Sequence, residues 1–237
     1  MKEFNLIKDK WTKEDGKEFQ TYLLTFSRGK DKCEWEKRVV NTNLACIAVL
    51  SKDIKNISKE IAKGNFLSFL DLRLNDNLST SLINANLISK IKDFESFKSY
   101  LLKFIDTADN WASIDTIGFN VKGKEDEFLT LAESLILSKK PFIRRTGVRI
   151  LFKLLDDKYI DSAFNLISKL YDEKDYYVNM AVAWFVCDSF IKQREKTLES
   201  FEKKVYNDFV TNKAISKCRD SFRVSKQDKD MLLKFKR

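Results

Sequence analysis

The stretch PFIRRTGVRILFKLL, residues 141–155, decides the fold class. Its small and apolar positions recur at three- and four-residue intervals, the spacing of one face of an α-helix: Ile143, Gly147, Ile150, Leu151 and Leu154. The stretch opens on Pro141, the only proline of the chain. Proline suits the first turn of a helix because the N–H groups there have no helical partner. The stretch therefore predicts an α-helix with one buried face.

Three pairs of helices follow from the same periodicity around this stretch. They are residues 94–108 with 111–121, residues 125–137 with 142–155, and residues 159–170 with 176–191. The first helices begin 31 and 34 residues apart, and the second helices, counted from Trp111, Phe142 and Tyr177, 31 and 35 residues apart. That period is typical of helical-repeat solenoids, although an irregular helical bundle would also fit. We expect an all-α superhelix, a right-handed solenoid whose second helices line one groove.

The composition agrees with a helical chain. The 237 residues include 1 Pro and 6 Gly, too few for the many turns of an all-β fold. Hydrophobic residues make up 43%, enough for a substantial core. Shorter helical patterns occupy residues 12–26, 53–62, 66–74 and 78–91, and Ser225 is placed to cap a last helix reaching Phe235. No Gly/Ser/Pro-rich linker divides the chain, so we expect one domain over residues 1–237.

Several classes of chemistry are excluded by residue type. The chain has 0 His, which removes histidine general bases, serine–histidine dyads and histidine zinc sites. None of the four cysteines forms a C-x-x-C pair, and we expect no metal or other cofactor. Residues 1–5 show no apolar signal core, and the longest uncharged stretches have 13 residues, too short to span a bilayer. We therefore expect a cytoplasmic protein.

Basic residues are concentrated in two places. Residues 139–153 carry six of them and no acid: Lys139, Lys140, Arg144, Arg145, Arg149 and Lys153. Arg145, Arg149 and Lys153 step by four along one helix face, and we call these three residues the basic ridge. Such a ridge can bind DNA phosphates, although it could also be a solvated helix face. Residues 211–237 hold nine basic and three acidic residues, either a second phosphate-binding patch or a solvated tail.

Two tryptophans and one aspartate are candidates for a reactive site. Trp111 and Asp115 are four residues apart and share one helix face with Ile114 and Gly118. Asp115 is then a carboxylate beside an apolar stripe, or it lies on the solvated edge of that stripe. Residues 178–191 contain one charged residue, so this helix is expected to be buried. Trp184 is by default a core residue, and its alternative role is a groove-facing aromatic.

Four motifs in this order resemble a known family. They are DNWASID at residues 109–115, IRRTG at residues 143–147, YYVNMAVAW at residues 176–184 and SFRVS at residues 221–225. The sequence resembles the DNA alkylation repair enzymes, the AlkD-like DNA glycosylases built from HEAT-like repeats. Asn110 and Ala112 differ from the bulkier aromatic and the acid that flank this tryptophan in the best-known members.

The resemblance implies a function and a set of residues. The family excises positively charged N-alkylpurines, such as 3-methyladenine and 7-methylguanine, from duplex DNA in base excision repair. Carried over from the family to this sequence, the catalytic groups are Asp115, Trp111, Trp184 and Arg145. Arg144 is an alternative to Arg145. The DNA-binding residues are Arg144, Arg149, Lys153, Lys213, Lys217 and Arg219. A monomer is expected, and double-stranded DNA containing alkylated purines is its partner.

The residue types suit this chemistry. A cationic alkylpurine is a good leaving group, so its release needs little general-acid help. A carboxylate such as Asp115 can stabilise the oxocarbenium-like charge that grows on the sugar, and tryptophan faces add cation–π attraction. The alternative is a non-catalytic helical-repeat module that binds damaged or branched DNA. Most helical arrays bind proteins, but the clustered basic residues argue against that third class.

Overall fold

The computed structural model describes residues 4–237, and its regular structure is helical. The first seven helices are α1 (Lys13–Leu24), α2 (Lys30–Val40), α3 (Ser51–Ile61), α4 (Phe66–Asp71), α5 (Leu78–Ile88), α6 (Phe94–Ile105) and α7 (Trp111–Thr116). The next seven are α8 (Glu125–Ile136), α9 (Pro141–Leu151), α10 (Ile160–Ser168), α11 (Tyr176–Lys192), α12 (Arg194–Glu202), α13 (Asp208–Asp220) and α14 (Lys226–Met231), before a 3-10 turn at Leu232–Phe235. The all-α prediction is confirmed.

The described residues contain no strand. Their one β-type pairing is an isolated parallel bridge between Ala45 and Asn77. None of the helices in the described range is long and apolar enough to cross a membrane. Residues 1–3, which belong to the N-terminal segment without an apolar signal core, lie outside the described range.

The chain divides into two compact units. The first ends at Asn120 and contains α1 to α7, and the second spans Val121–Arg237 and contains α8 to α14. The single domain and the common groove stay predictions. In the first unit α5 is the central helix, because it packs against α3, α4, α6 and α7. Its side chains Ile83, Leu87 and Ile88 are buried accordingly.

The second unit is built around α11, which packs against α9, α12 and α13. Helices α8 and α9 also approach each other closely, and Gly147 lies at the contact. A Cβ atom at this position would lie 2.9 Å from the carbonyl oxygen of Ala132 and 2.8 Å from Cγ1 of Ile136. Both distances are shorter than van der Waals contact, so glycine lets the two helices pack this closely.

Several helix boundaries differ from the prediction. The helix expected over residues 111–121 ends at Thr116, and Ile117 is already extended. Gly118 therefore does not share a helix face with Asp115, and its N–H donates to Ser89 Oγ at 2.7 Å. This contact to the residue directly after α5 is a tertiary interaction that the local sequence pattern does not contain.

The sequence patterns do not predict three of the helices, namely α2, α12 and α13. Helix α13 corrects the interpretation of residues 211–237 as a solvated tail. Thr211, Ala214 and Cys218 are buried on it, and the helix packs against α11. The basic residues of this stretch therefore stand on an ordered helix and the turn that follows it.

Candidate functional site

Helix α7 is held in place from its first residue. The Asn110 side chain accepts a hydrogen bond from the Ser113 N–H at 2.9 Å and so caps the helix. Ser113 and Ile114 are fully buried, and Ser113 Oγ lies 2.8 Å from Ser81 Oγ on α5. One face of α7 is thus fixed against α5.

Asp109 ties the start of α7 to a distant segment. Its carboxylate accepts hydrogen bonds from Thr42 Oγ1 at 2.7 Å and from the Asn43 N–H at 2.6 Å. The side chain of Asn110 donates to it as well, at 2.9 Å. Burial acts to raise the pKa of Asp109, but these three hydrogen bonds outweigh it and hold the pKa below its ordinary value. The carboxylate is therefore ionised at neutral pH and keeps all three donors.

Trp111 and Asp115 lie one helical turn apart on α7, as predicted, and both side chains are partly buried. Asp115 lines a cleft of about 370 Å³. The cleft is otherwise lined by Ser51, Ile54, Lys55, Leu82, Asn86 and Thr116. Lys55, an exposed residue of α3, could not be predicted as part of the site, because only the packing of α3 and α7 against α5 shows that it shares the cleft with Asp115.

Trp184 is not a core residue, and this corrects the default expectation. Its side chain is 46% exposed although Ala183 and Phe185 on either side are fully buried. The ammonium group of Lys217, on α13, lies over the indole ring at 4.1 Å from its centre. That is within the range of a cation–π interaction. The exposed ring is therefore already in contact with a positive charge.

A second cross-link follows one turn later on α11. Asp188 Oδ1 accepts a hydrogen bond from Arg223 Nη2 at 2.9 Å. Together with the Lys217–Trp184 contact, this ion pair connects the outer face of α11 to α13 and to the turn after it. From the sequence, Arg223 belongs with Lys213, Lys217 and Arg219 to a possible phosphate-binding patch or a solvated tail. Its ion pair could not be predicted, because Asp188 lies 35 residues away.

The basic ridge is not continuous, because Arg145 is buried. Only 5% of its surface is exposed, and its Nη1 donates to the carbonyl oxygen of Tyr177 in the first turn of α11. Arg149 is partly buried, with its guanidinium 4.6 Å from the centre of the Phe152 ring. Lys153 is exposed. Only the last two residues of the ridge are accessible to a phosphate.

Arg144 is occupied by structural contacts. Its Nε and Nη2 donate to the two carboxylate oxygens of Glu173 at 2.6 and 2.9 Å. Its Nη1 donates to the carbonyl oxygens of Ser138 and Lys139. Burial acts to raise the pKa of Glu173, but the bonds from Arg144, together with those from the Asp175 and Lys174 N–H groups, outweigh it and lower the pKa. Arg144 therefore joins the start of α9 to the loop before α11.

The remaining predicted cations are on α13. Lys213 and Arg219 are exposed, and the ammonium of Lys213 lies 5.8 Å from the centre of the Phe209 ring. Within residues 4–237, no group of three or more Cys, Asp or Glu side chains could hold a metal ion.

The model of one protein family matches the chain over residues 14–217, which reaches across both units. Its description is DNA alkylation repair enzyme. The chain belongs to the DNA alkylation repair enzyme family. A DNA alkylation repair enzyme acts in DNA repair and has DNA as its partner. No curated protein gives a significant match to the sequence.

Proposed function

We propose that this protein is a DNA glycosylase that acts as a monomer on positively charged N-alkylpurines, such as 3-methyladenine and 7-methylguanine, in duplex DNA. The observation that carries the proposal is the placement of Asp115. It is a partly buried carboxylate in a cleft, one helical turn from Trp111 on the same face of α7. The family match supports a repair role on alkylated DNA.

The reaction breaks the bond between C1′ of the deoxyribose and the purine nitrogen. The bonding electron pair leaves with the base, which becomes a neutral alkylpurine, and positive charge develops on the sugar. The Asp115 carboxylate stabilises that charge and orients a water. The water oxygen then bonds to C1′, and its proton passes to the carboxylate or to solvent.

The two tryptophans supply aromatic faces in this proposal. Trp111 lies beside Asp115, and its ring attracts the cationic lesion or the charged sugar by about 0.5–2 kcal/mol. Trp184 is exposed on α11 and already holds the ammonium of Lys217 against its face. The contact supports its role because it shows that the ring face attracts a cation, and the 46% exposure leaves part of the ring accessible.

Arg145 has a different role from the one that the resemblance implies. Since it is buried and donates to the Tyr177 carbonyl at the start of α11, we assign it as a positioning residue for the helix that carries Trp184. The DNA phosphates are assigned to the accessible cations: Arg149, Lys153, Lys213, Lys217 and Arg219.

The proposal is tested by measuring free base after incubation of purified protein with methylated duplex DNA. Asp115→Asn keeps the shape of the side chain and removes its charge, so release of 7-methylguanine is expected to slow roughly 10²-fold or more. DNA binding is expected to survive or to tighten, since one negative charge is gone.

Asp76→Asn is the matched control, because Asp76 is an exposed carboxylate of the same unit. It is expected to leave base release unchanged. Full activity of Asp115→Asn would place the reactive site elsewhere. Wild-type protein that binds DNA but frees no base would instead favour a non-catalytic module for damaged or branched DNA.

A further inference from the structure

Phe222 lies in the turn between α13 and α14 with 95% of its surface exposed. The next most exposed large apolar side chain of the described residues, Leu137, is 65% exposed. Single apolar side chains on a surface are common, so exposure alone does not define a site. Two further features distinguish Phe222: its backbone is anchored on both sides, and its surroundings are basic.

The turn around Phe222 is held by contacts to its neighbours. The Ser221 N–H donates to carbonyl oxygens in the last turns of α13, at 3.1 and 3.2 Å. On the other side, the guanidinium of Arg223 is bonded to Asp188 on α11, and Val224 is buried. The backbone on either side of Phe222 is therefore fixed while its ring is exposed to solvent, so little backbone conformational entropy is lost when a ligand contacts the ring.

The charge of the chain on either side of Phe222 indicates the kind of ligand, with Arg223 already paired to Asp188. Residues 213–226 contain five basic residues and one acid: Lys213, Lys217, Arg219, Arg223, Lys226 and Asp220. Basic residues interleaved with exposed aromatic rings are typical of surfaces that track a nucleic-acid backbone and stack its bases. A polyanion that also presents flat apolar faces fits this turn.

We propose that Phe222 stacks on an unpaired base of bound DNA. The proposal rests on DNA being the partner under the proposed function. In an intact duplex each base face is covered by its neighbours, and separating them costs energy. A bulged or displaced base offers its face at lower cost. Phe222 therefore gives the protein a preference for duplexes that carry an unpaired nucleotide.

The experiment compares two labelled duplexes of one sequence, one fully paired and one with a single bulged 2-aminopurine. Wild-type protein is expected to bind the bulged duplex more tightly and to quench the 2-aminopurine fluorescence by stacking. Phe222→Ala and Phe222→Leu are expected to lose the quenching and to weaken binding of the bulged duplex roughly 5- to 150-fold. Binding of the paired duplex should change little, and Phe222→Trp should keep both signals.

Tyr171→Ala is the control, since Tyr171 is exposed in the same unit but is followed by Asp172 and Glu173. It is expected to leave both signals unchanged. Quenching and affinity that persist in Phe222→Ala overturn the proposal, as does a wild-type protein without preference for the bulge. Because Phe222 is exposed, an unchanged melting temperature is expected for each variant.

Base release, measured on the same proteins, separates this proposal from the glycosylase activity. Quenching that depends on Phe222 in a protein that frees no base supports stacking and counts against the glycosylase. Base release in a protein whose quenching does not depend on Phe222 overturns stacking alone.

Discussion

The ammonium nitrogen of Lys217 lies 4.1 Å from the centre of the Trp184 ring. The two residues come from α13 and α11, so the contact joins two helices on the surface of the second unit. It also shows what the ring face attracts, because Trp184 meets a cation there rather than an apolar side chain.

This contact predicts a measurable coupling between the two residues. In a double-mutant cycle with Lys217→Met and Trp184→Leu, the coupling in the free energy of unfolding is expected to be about 0.5–1 kcal/mol, the range of an exposed cation–π pair. Urea unfolding of the four proteins measures it. On the Trp184→Leu background, Lys217→Met should have little effect, and a coupling of zero would contradict the contact.

The accessible residues of the basic ridge predict salt-dependent DNA binding. Changing Arg149 and Lys153 to Glu is expected to weaken binding to all sequences alike, since phosphates carry no sequence information. The slope of log affinity against log salt should become shallower by about 0.9 for each phosphate that the variant no longer neutralises. Lys203→Glu, directly after α12, is the control, because this lysine is paired with Glu199. DNA affinity that does not change with salt would rule out phosphate binding.

The Arg144–Glu173 pair predicts pH-dependent stability. Glu173→Gln removes one partner of a largely buried, doubly hydrogen-bonded ion pair, so the free energy of unfolding is expected to fall by about 3 kcal/mol at pH 7. The pKa of Glu173 is lowered in the folded state. The stabilisation is therefore fully present above the unfolded pKa of about 4.3 and is lost as the pH falls through the lower, folded pKa.

Urea unfolding of wild type and Glu173→Gln between pH 3 and 7 should show the difference shrinking on the acid side only. The comparison is Glu133→Gln, whose partner Lys169 is partly exposed and whose pair is expected to contribute about 0–1 kcal/mol. A difference between wild type and Glu173→Gln that stays constant through this range would exclude the pair as its source.

The close contact of α8 and α9 predicts the effect of a methyl group at Gly147. Alanine there would meet the Ala132 carbonyl oxygen at 2.9 Å, and overpacking of this kind is expected to destabilise by about 1–3 kcal/mol. Gly16→Ala is the matched control, since its Cβ would meet only side-chain atoms of Leu72 and Leu74, at 3.3 Å or more. Thermal unfolding should place that variant within about 1 kcal/mol of wild type. Equal stability of Gly147→Ala and wild type would show that the helices can separate.

Much of the fold could be predicted because helical periodicity is local. The start of α9 at Pro141 can be predicted from the sequence around it. So can the placement of Trp111 and Asp115 on one face of α7. Helix α2 escaped prediction because Val40 is its only buried residue, which leaves no apolar stripe to detect. The end of α7 at Thr116 could not be predicted either, because the helix that it packs against is α5.

The roles of Arg144 and Arg145 could not be separated by sequence. Their partners lie far along the chain, at Glu173 and Tyr177, and the two side chains are adjacent and chemically identical. Trp184 presents the same difficulty. Its neighbours predict a buried helix, and only the position of α13 shows that the ring is exposed.

The hydrogen bonds that join Asp109 to Thr42 and Asn43 also show what the position of Asp115 depends on. Helix α7 has six residues, and isolated helices of that length are not stable in water. The contacts that hold its start reach across 66 and 67 residues of chain. The position of Asp115 is therefore set by the tertiary structure of the first unit and not by α7 alone.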